Sequence, residues 1–235
     1  MSASPVPPAK PLPDASGVRV AVLGGTGPQG RGLARRFALA GHPVVLGSRT
    51  ADKAEQVARE LLATGLGEGA QVSGSDNASA ASAADVVVVA VPYDGHAELL
   101  GALREHLAGR IVVDCVNPLG FDSSGAFALD VPEGSAAQQA AALLPESRVV
   151  AAFHHVSAVL LEDPAVGSVE TDVLVLGDDR DATDLVVALA GRIRGMRGVY
   201  AGRLRNACQV EALTANLISV NRRYRAHAGL RVTDV

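Results

Sequence analysis

The chain has 235 residues, 48% hydrophobic and 20% charged, which suits a folded protein with a large core and excludes an intrinsically disordered one. A formal net charge of −4 argues against a dedicated nucleic-acid binder, and an aromatic content of 3% without Trp excludes an aromatic-lined single-strand groove. Cys115 and Cys208 have neither CxxC nor metal-ligand spacing, which excludes a disulfide framework and a structural zinc site; both read as small buried hydrophobes.

Residues 1–16 carry five prolines and no apolar signal segment, which predicts a disordered proline-rich tail and not a secretory leader. Residues 19–23 are a short apolar strand that runs into glycines. The next helix places Leu33, Ala34, Phe37 and Ala38 on one face and Arg31, Arg35 and Arg36 on the other, and Gly41 stops it. Residues 44–46 predict a second strand. Thr50 then caps a helix with apolar positions Ala54, Val57, Ala58, Leu61 and Leu62. Gln71-Val72 is a weak third strand, and residues 86–91 are a fourth, apolar throughout as a strand covered on both faces must be. There follow a helix over 97–107, a strand over 111–114 and a helix opened by a Ser135–Gln138 capping box and ended by Pro145. Strands over 149–153 and 173–176 complete the series.

This alternation predicts an α/β fold, a Rossmann-type doubly wound and mainly parallel sheet over residues 17–178. Beyond 178 the pattern changes to helices over 181–194 and 206–225, which predicts a small, mainly helical C-terminal domain over 179–235. The apolar run at 86–91 is far too short to span a bilayer, so the expectation is a soluble, cytoplasmic protein with neither membrane nor nucleic acid as partner.

Gly25-Thr26-Gly27-Pro28-Gln29-Gly30 matches GxGxxG, and here it follows a strand and opens a helix, the context that gives the pattern meaning. The first glycine is assigned to the tight turn, the second to close approach of a pyrophosphate and the third to helix–strand packing. Backbone N–H groups and the helix dipole then hold the anion. Pro28 lacks an N–H but suits a first helical turn. NAD-binding chains usually place a carboxylate about 20 residues on, for the ribose 2′-hydroxyl. Here the second strand ends in Ser48-Arg49, a hydroxyl and a guanidinium that suit a 2′-phosphate, with Lys53 one turn beyond. The expected cofactor is NADP(H). Ligands of open α/β sheets lie over the carboxyl ends of the strands, which here carry Pro92-Tyr93, Asn117-Pro118 and His154-His155.

Proton-transfer and metal machinery is not evident. Tyr93, Tyr200 and Tyr224 are followed four residues on by Ala97, Leu204 and Ala228, not by the lysine of short-chain reductases. Lys10 and Lys53 are the only lysines, which excludes mechanisms that need a later one. His154-His155 lacks HExxH spacing, and Asp178, Asp179 and Asp181 read as a solvated turn before a helix. No catalytic acid, base or metal ligand is assigned. A hydride exchanged between two bound coenzymes needs little such machinery, because the coenzymes carry the chemistry and the protein aligns them.

Several stretches, taken in order, carry a resemblance. They are Gly24-Gly25-Thr26-Gly27, Gln29-Gly30, Gly47-Ser48-Arg49 with Lys53, Val91-Pro92-Tyr93, Asn117-Pro118, Glu133-Gly134-Ser135-Ala136-Ala137 and Ala152-Phe153-His154. Val210-Glu211-Ala212-Leu213-Thr214, Asn221-Arg222-Arg223-Tyr224 and His227-Ala228-Gly229 continue the series. Over nearly the whole chain after the tail, the sequence resembles the NADPH:coenzyme F420 oxidoreductases of archaea and actinobacteria. The resemblance implies a Rossmann domain with a small C-terminal domain, a homodimer, and reversible hydride transfer between C4 of the NADP nicotinamide and C5 of the 5-deazaflavin coenzyme F420. By position it implies NADP binding by Thr26, Gly27, Pro28, Gln29, Ser48, Arg49 and Lys53, with Tyr93 against the cofactor. His154 and Ala158 would lie where nicotinamide meets deazaflavin. His155, Ser157, Asn206, Ala228 and Gly229 would complete the deazaflavin side, in the cleft between the domains. Pro28 stands where the family more often has Asp or Asn, and His155 where Asn is common.

The deazaflavin carries an anionic phosphate and glutamate tail. Arg203, Arg205, Arg222, Arg223, Arg225 and Arg231 supply positive charge that could attract it, and equally suit a helix surface or intersubunit ion pairs. Two other readings stay open on the same scaffold. One is an NADPH-dependent reductase of a small carbonyl or imine, with His154 or His155 as proton donor. The other is a non-catalytic NADP-sensing module.

Overall fold

The computed structural model describes residues 11–235. β1 (Val20–Leu23) leads into α1 (Pro28–Leu39), β2 (Val44–Ser48) into α2 (Ala51–Ala63), and β3 (Val72–Asp76) into α3 (Asn77–Ala83). β4 (Val86–Val89) is followed by α4 (His96–Ala102) and α5 (Arg104–Leu107). After β5 (Ile111–Asp114) come a hairpin of β6 (Leu119–Asp122) and β7 (Gly125–Ala128), then α6 (Ala136–Leu143), β8 (Arg148–Ala151) and α7 (Ala158–Glu162). The chain closes with β9 (Thr171–Gly177), α8 (Arg180–Gly191), β10 (Met196–Gly202) and α9 (Ala207–Tyr224).

Eight strands form one sheet in the order β10-β9-β8-β5-β4-β1-β2-β3, parallel at every pairing except β8 with β9. Strand side chains alternate between its faces. Val20 and Val22 pack with Leu33, Phe37, Val57 and Leu61 of α1 and α2, while Ala21 and Leu23 pack with Ala80, Leu100, Leu107 and Ala140 on the other face. Each fully buried Leu or Phe stabilises the fold by about 1.5–3 kcal/mol. The connections reverse direction between β1 and β4, and their carboxyl ends open the crevice where such sheets bind ligands. This is the Rossmann-type, mainly parallel architecture expected from the sequence.

The structure corrects several local expectations. Residues 1–10 of the expected tail lie outside the described residues. Within 11–16, Ala15 is buried in the core, and the Asp14 carboxylate accepts hydrogen bonds from the Ser16 backbone N–H and hydroxyl. Arg35 and Arg36 belong to the buried face of α1, not to the solvent face. Arg36 donates to the carbonyls of Leu161 at 2.8 Å, Val166 at 2.6 Å and Asp163 at 3.3 Å, and also to that of Leu160. The short helix α7 ends there, so its last carbonyls lack helical partners, and the guanidinium supplies donors. Thr50 stands at the N-cap of α2 but its side chain makes no capping bond, and Leu62 is exposed. The expected helix over 97–107 is broken at Leu103. Cys115 is buried as expected, whereas Cys208 is exposed.

α3, the β6–β7 hairpin, α7 and β10 are absent from the sequence reading. α3 is a run of small residues without an apolar stripe, started by the Asp76 carboxylate, which accepts from the N–H groups of Ala78 and Ser79. The sheet also continues past residue 178, because β10 pairs in parallel with β9. The expected division at 178 therefore runs through the sheet. What stands apart from it is α9 and the segment after it. That segment lies along β9: Asp172 N–H donates to Leu230 O at 2.8 Å, and the Asp172 carboxylate pairs with Arg197 at 2.6 Å and Arg231 at 3.0 Å. Arg197 above all holds the Asp172 carboxyl far below the usual range. Among the described residues no helix is long and apolar enough to cross a membrane.

Candidate functional site

The crevice between β1 and β4 is shaped first by backbone. Gly24 has φ +73°, the left-handed region open mainly to glycine. The tight turn thus belongs to Gly24 and not to Gly25, to which the motif assigned it. A Cβ on Gly25 would lie 2.6 Å from Leu46, and one on Gly30 would lie 2.5 Å from Gly24 O, so both mark close packing. A Cβ on Gly27 would meet nothing nearer than 3.6 Å. Gly27 therefore leaves open the space in front of α1, whose N-cap it is. No side chain caps this helix and no carboxylate sits in its first turn. Pro28 has no N–H, so the amides of Gln29 and Gly30 are the ones that face outward without helical partners. An anion suits such a place.

Of this turn Gly24, Thr26 and Gly27 border a cavity of about 520 Å³, which is also lined by Ser48 and Arg49 at the end of β2, Asn77 at the start of α3, and Val91, Pro92 and Asp94 after β4; Gly25, Pro28, Gln29 and Gly30 do not line it. Ser48, Arg49, Pro92, Thr26 and Gly27 are brought together as the sequence suggested. Lys53 is exposed on α2 and Tyr93 leans on His96, and neither lines this cavity. Asn77 escaped the sequence reading. Its Oδ1 is buried without a partner against Gly47, and only the position after a strand-ending Asp76 could have flagged it.

A second wall, the loop after β8, is built from side-chain hydrogen bonds and does not line this cavity. Phe153, at the end of β8, is a non-glycine residue with φ +64°. Its carbonyl accepts from Gln29 Nε2 at 3.1 Å, so that side chain fastens the wall while its backbone N–H stays with the turn. The carbonyl of His154 accepts from Asn117 Nδ2 at 2.9 Å and from Thr214 Oγ1 of α9 at 3.1 Å. Asn117 thus holds the loop by its side chain, and buried Pro118 accepts from Leu129 N–H at the foot of the hairpin. The His154 ring is 2% exposed and neither ring nitrogen has a partner. Burial, partly opposed by Asp114, lowers its pKa to about 4. Burial likewise lowers His155 to about 4; its Nε2 accepts from Leu174 N–H at 3.2 Å, and its Nδ1 is unpartnered.

Ser157 and Ala158 open α7 beside this wall, with the Ser157 hydroxyl making no cap. Ala228 and Gly229 share a small enclosed space with His155, Val156 and Ser157. Gly229 is pressed on β9, where a Cβ would lie 2.8 Å from Thr171 Oγ1. Asn206 stands at the N-cap of α9, beside Gly202, away from the cavity. The aspartates at 178–181 are used locally: Asp179 caps α8 through Ala182 N–H at 2.8 Å.

Behind Asn117 lies a buried polar network that the sequence reading missed. His96 Nε2 meets Asp114 Oδ2 at 2.6 Å with both side chains fully buried, and His96 Nδ1 meets Gln139 Oε1 at 2.9 Å. Gln139 Nε2 donates to Glu133, which fixes the amide so that its oxygen faces the ring. Both imidazole nitrogens are then donors. Burial acts against this charge, but the Asp114 bond and charge outweigh it and raise the His96 pKa. Glu211 of α9 accepts from Ala136 N–H at 2.9 Å and Ala137 N–H at 3.1 Å, tying α9 to the start of α6. Burial raises its carboxyl to about 7. A charged residue closing the apolar run of β5 was the one sequence signal for Asp114.

The chain is similar to several known proteins. The family model for the coenzyme F420-dependent NADP oxidoreductases matches residues 19–118. The F420-dependent NADP reductase of Methanothermobacter marburgensis is 40% identical over 223 residues, which are 93% of this chain and 99% of the relative. A solved structure from an Arthrobacter species, described as a candidate F420-dependent NADP reductase, superposes with a TM-score of 0.77 at 28% identity, covering 92% of this chain and 100% of that one. An imine reductase of Bacillus cereus, at 21% identity and TM-score 0.61 over 88% of this chain and 63% of its own, shares the fold.

Proposed function

The chain belongs to the family of coenzyme F420-dependent NADP oxidoreductases, and from that membership we infer that it transfers hydride reversibly between NADP(H) and coenzyme F420. The observation that carries the reading in the structure is the open space over Gly27. Backbone on one side and Ser48 with Arg49 on the other border a cavity suited to a dinucleotide with a 2′-phosphate.

In this reading the 24–30 turn and the amides of Gln29 and Gly30 hold the pyrophosphate. Arg49 and Ser48 bind the 2′-phosphate, Lys53 adds charge at the rim, and Pro92 with Tyr93 bounds the nicotinamide half. Bound side by side, the coenzymes exchange a hydride between nicotinamide C4 and deazaflavin C5. His154 and Ala158 border the meeting point, and His155, Ser157 and the 228–229 segment support the deazaflavin side. Asn117 and Pro118 act by positioning the His154 loop. Asn206, at the N-cap of α9, is assigned to the deazaflavin side by the resemblance alone. A histidine lowered to about 4 is neutral at pH 7 and is a poor acid, which favours exchange between coenzymes over reduction of a carbonyl or imine.

Residues 17–178 contain the NADP site in this scheme, and α9 with its following segment contributes to the deazaflavin side and to dimerisation. Exposed apolar side chains on the hairpin and α9, including Phe121, Phe127, Leu129 and Tyr224, support a homodimer. Two unpaired cysteines support a reducing compartment, the cytoplasm.

The test is NADPH oxidation with coenzyme F420 as acceptor, followed by the deazaflavin's visible absorbance, with FMN and NADH as controls. Bleaching that requires both NADPH and the deazaflavin is expected. Binding of NADPH without turnover would overturn the reading.

A further inference from the structure

One face of α1 is joined to the segment after β8 over most of its length. Gly27, the N-cap of α1, borders the cavity. Further along, Gln29, Gly32 and Arg36 follow one another at spacings of three and four residues, hence on one face, and span about 10 Å of the axis. Each meets the chain that runs from the His154 loop through α7. Gln29 Nε2 donates to Phe153 O at 3.1 Å. A Cβ on Gly32 would stand 2.5 Å from Leu161 Cβ, so α1 and α7 touch where glycine lets them. Arg36 is 4% exposed and donates to the carbonyls of Leu161, Val166 and Asp163 at 2.8, 2.6 and 3.3 Å, and to that of Leu160. On the outer side, Arg31 Nε meets Glu162 Oε1 at 2.8 Å.

Packing alone does not account for Arg36. Burial and the neighbouring Arg35 charge both lower its pKa, so the site is an unfavourable one for a cation. An apolar side chain would join α1 to α7 without that desolvation, but it would not fix α7 along its own axis. α7 has only five residues, too few to persist as a helix unaided, and its last carbonyls have no helical partners. A guanidinium, with its donors in one rigid plane, locates those carbonyls in one arrangement. The other end of α7 opens at Ser157 and Ala158, next to the His154 loop.

We propose that Arg36 is a positioning residue for hydride transfer, the centre of a clamp completed by Gly32 and the Arg31–Glu162 pair. By fixing α7 on α1, it sets the distance between the coenzyme held at the N-terminus of α1 and the one that rests against the start of α7. The inference rests on the coenzyme F420 reading above. The reacting atoms must approach to about 3–3.5 Å, and a misplacement of about 1 Å can cost on the order of a hundredfold in rate. The clamp therefore acts on the transfer step. NADPH affinity belongs to the 24–30 turn, Ser48 and Arg49, which the clamp leaves in place.

The test compares the full chain with R36K, R36M and E162Q. Lysine keeps the charge but gathers its donors on one atom, methionine keeps an unbranched stem without donors, and E162Q weakens only the outer pair. Urea unfolding establishes that each variant is folded. The readouts are NADPH Kd by nicotinamide fluorescence, the single-turnover rate of NADPH oxidation at saturating coenzyme F420, and amide hydrogen exchange over residues 158–166. The single-turnover rate should fall about tenfold in R36K, further in R36M and about twofold in E162Q, while NADPH Kd stays within about twofold of native. Exchange over 158–166 should quicken in the same order. A folded R36K or R36M with the native rate overturns the clamp. So does a loss of NADPH affinity as large as the loss of rate, which marks a merely structural role. If neither Arg36 variant folds, E162Q decides, and its native rate with native exchange overturns the clamp. A native chain that binds NADPH without turnover overturns the oxidoreductase reading, a result distinct from every failure of the clamp.

Discussion

The 24–30 turn and the loop after β8 are held by different forces. The 24–30 turn is backbone against backbone: a Cβ on Gly30 would stand 2.5 Å from Gly24 O, and no side chain takes part in the cap of α1. The His154 wall is a set of side-chain hydrogen bonds that reach across the fold, from Asn117, Thr214 and Gln29 to two adjacent carbonyls. A steric wall fails at once when an atom is added. A hydrogen-bonded wall fails bond by bond, at roughly 0.5–1.5 kcal/mol each, and parts of it answer to pH.

The largest effect should come from adding a methyl group to the first wall. Gly30→Ala has no flexible neighbour to displace, so it should destabilise the fold by about 1–3 kcal/mol and abolish measurable NADPH binding. Gly27→Ala separates the two consequences. Its methyl group enters open space, so urea unfolding should move by no more than about 0.5 kcal/mol while NADPH binding is lost. If Gly27→Ala binds NADPH normally, the pyrophosphate does not lie over that turn. Arg49→Ala should follow in size, weakening NADPH by about 1.5–3 kcal/mol through lost charge-assisted hydrogen bonds with little change for NADH. Equal losses for both nucleotides would remove the 2′-phosphate from Arg49.

Glu211, which ties α9 to the start of α6 in the network behind Asn117, tests the response to pH. Its carboxyl is raised to about 7 in the fold, mainly by burial, against an ordinary value of about 4.3 in the unfolded chain. The folded state then binds the proton more tightly, so this group's contribution to stability falls as pH rises from about 4 to 7. His96, also raised, has the same sign: its contribution is present below about 6.5 and is lost as pH climbs through its folded value. His154 and His155, lowered to about 4 by burial, act with the opposite sign and add stability as pH rises toward about 6.5, so the Glu211 contribution is read as a difference between two chains. Between pH 4.5 and 7 the stability change of Glu211→Gln, measured by urea unfolding, should be more positive than that of the native chain by on the order of 2 kcal/mol. An unaltered slope in the variant would mean that Glu211 ionises normally.

The same contrast explains what could be read before any coordinates. The turn, Ser48 and Arg49 are local: a strand, glycines and a helix start lie within a few residues, and the second strand supplies its end at a fixed offset. Even there, the left-handed residue proved to be Gly24, because the pattern marks glycines without saying which one turns. The sheet was legible through its apolar runs, but β10 was not. Its apolar residues are interrupted by the adjacent Arg197 and Gly198 and by Tyr200, at an edge of the sheet, and the register with β9 shifts between Tyr200 and Gly202. The second wall was illegible because its bonds join residues 37 to 124 positions apart. Arg36 is the clearest case: helical periodicity put it in solvent, and only the carbonyls left at the end of α7 explain its burial.

The smallest expected effect asks whether the second wall acts as a unit. Asn117 and Thr214 donate to the same His154 carbonyl, at 2.9 and 3.1 Å, and meet each other at 3.4 Å. Asn117→Ala and Thr214→Val should each cost about 1 kcal/mol of stability. Each should also lower kcat with the deazaflavin by about tenfold through a looser His154 loop, while NADPH affinity stays near its native value. Because one carbonyl serves both donors, each single variant leaves it one partner and the double variant leaves it none, so the double variant should lose more than the sum of the two single losses. Additive losses would show that Asn117 and Thr214 act separately, and that the His154 loop is held by Gln29 and packing alone.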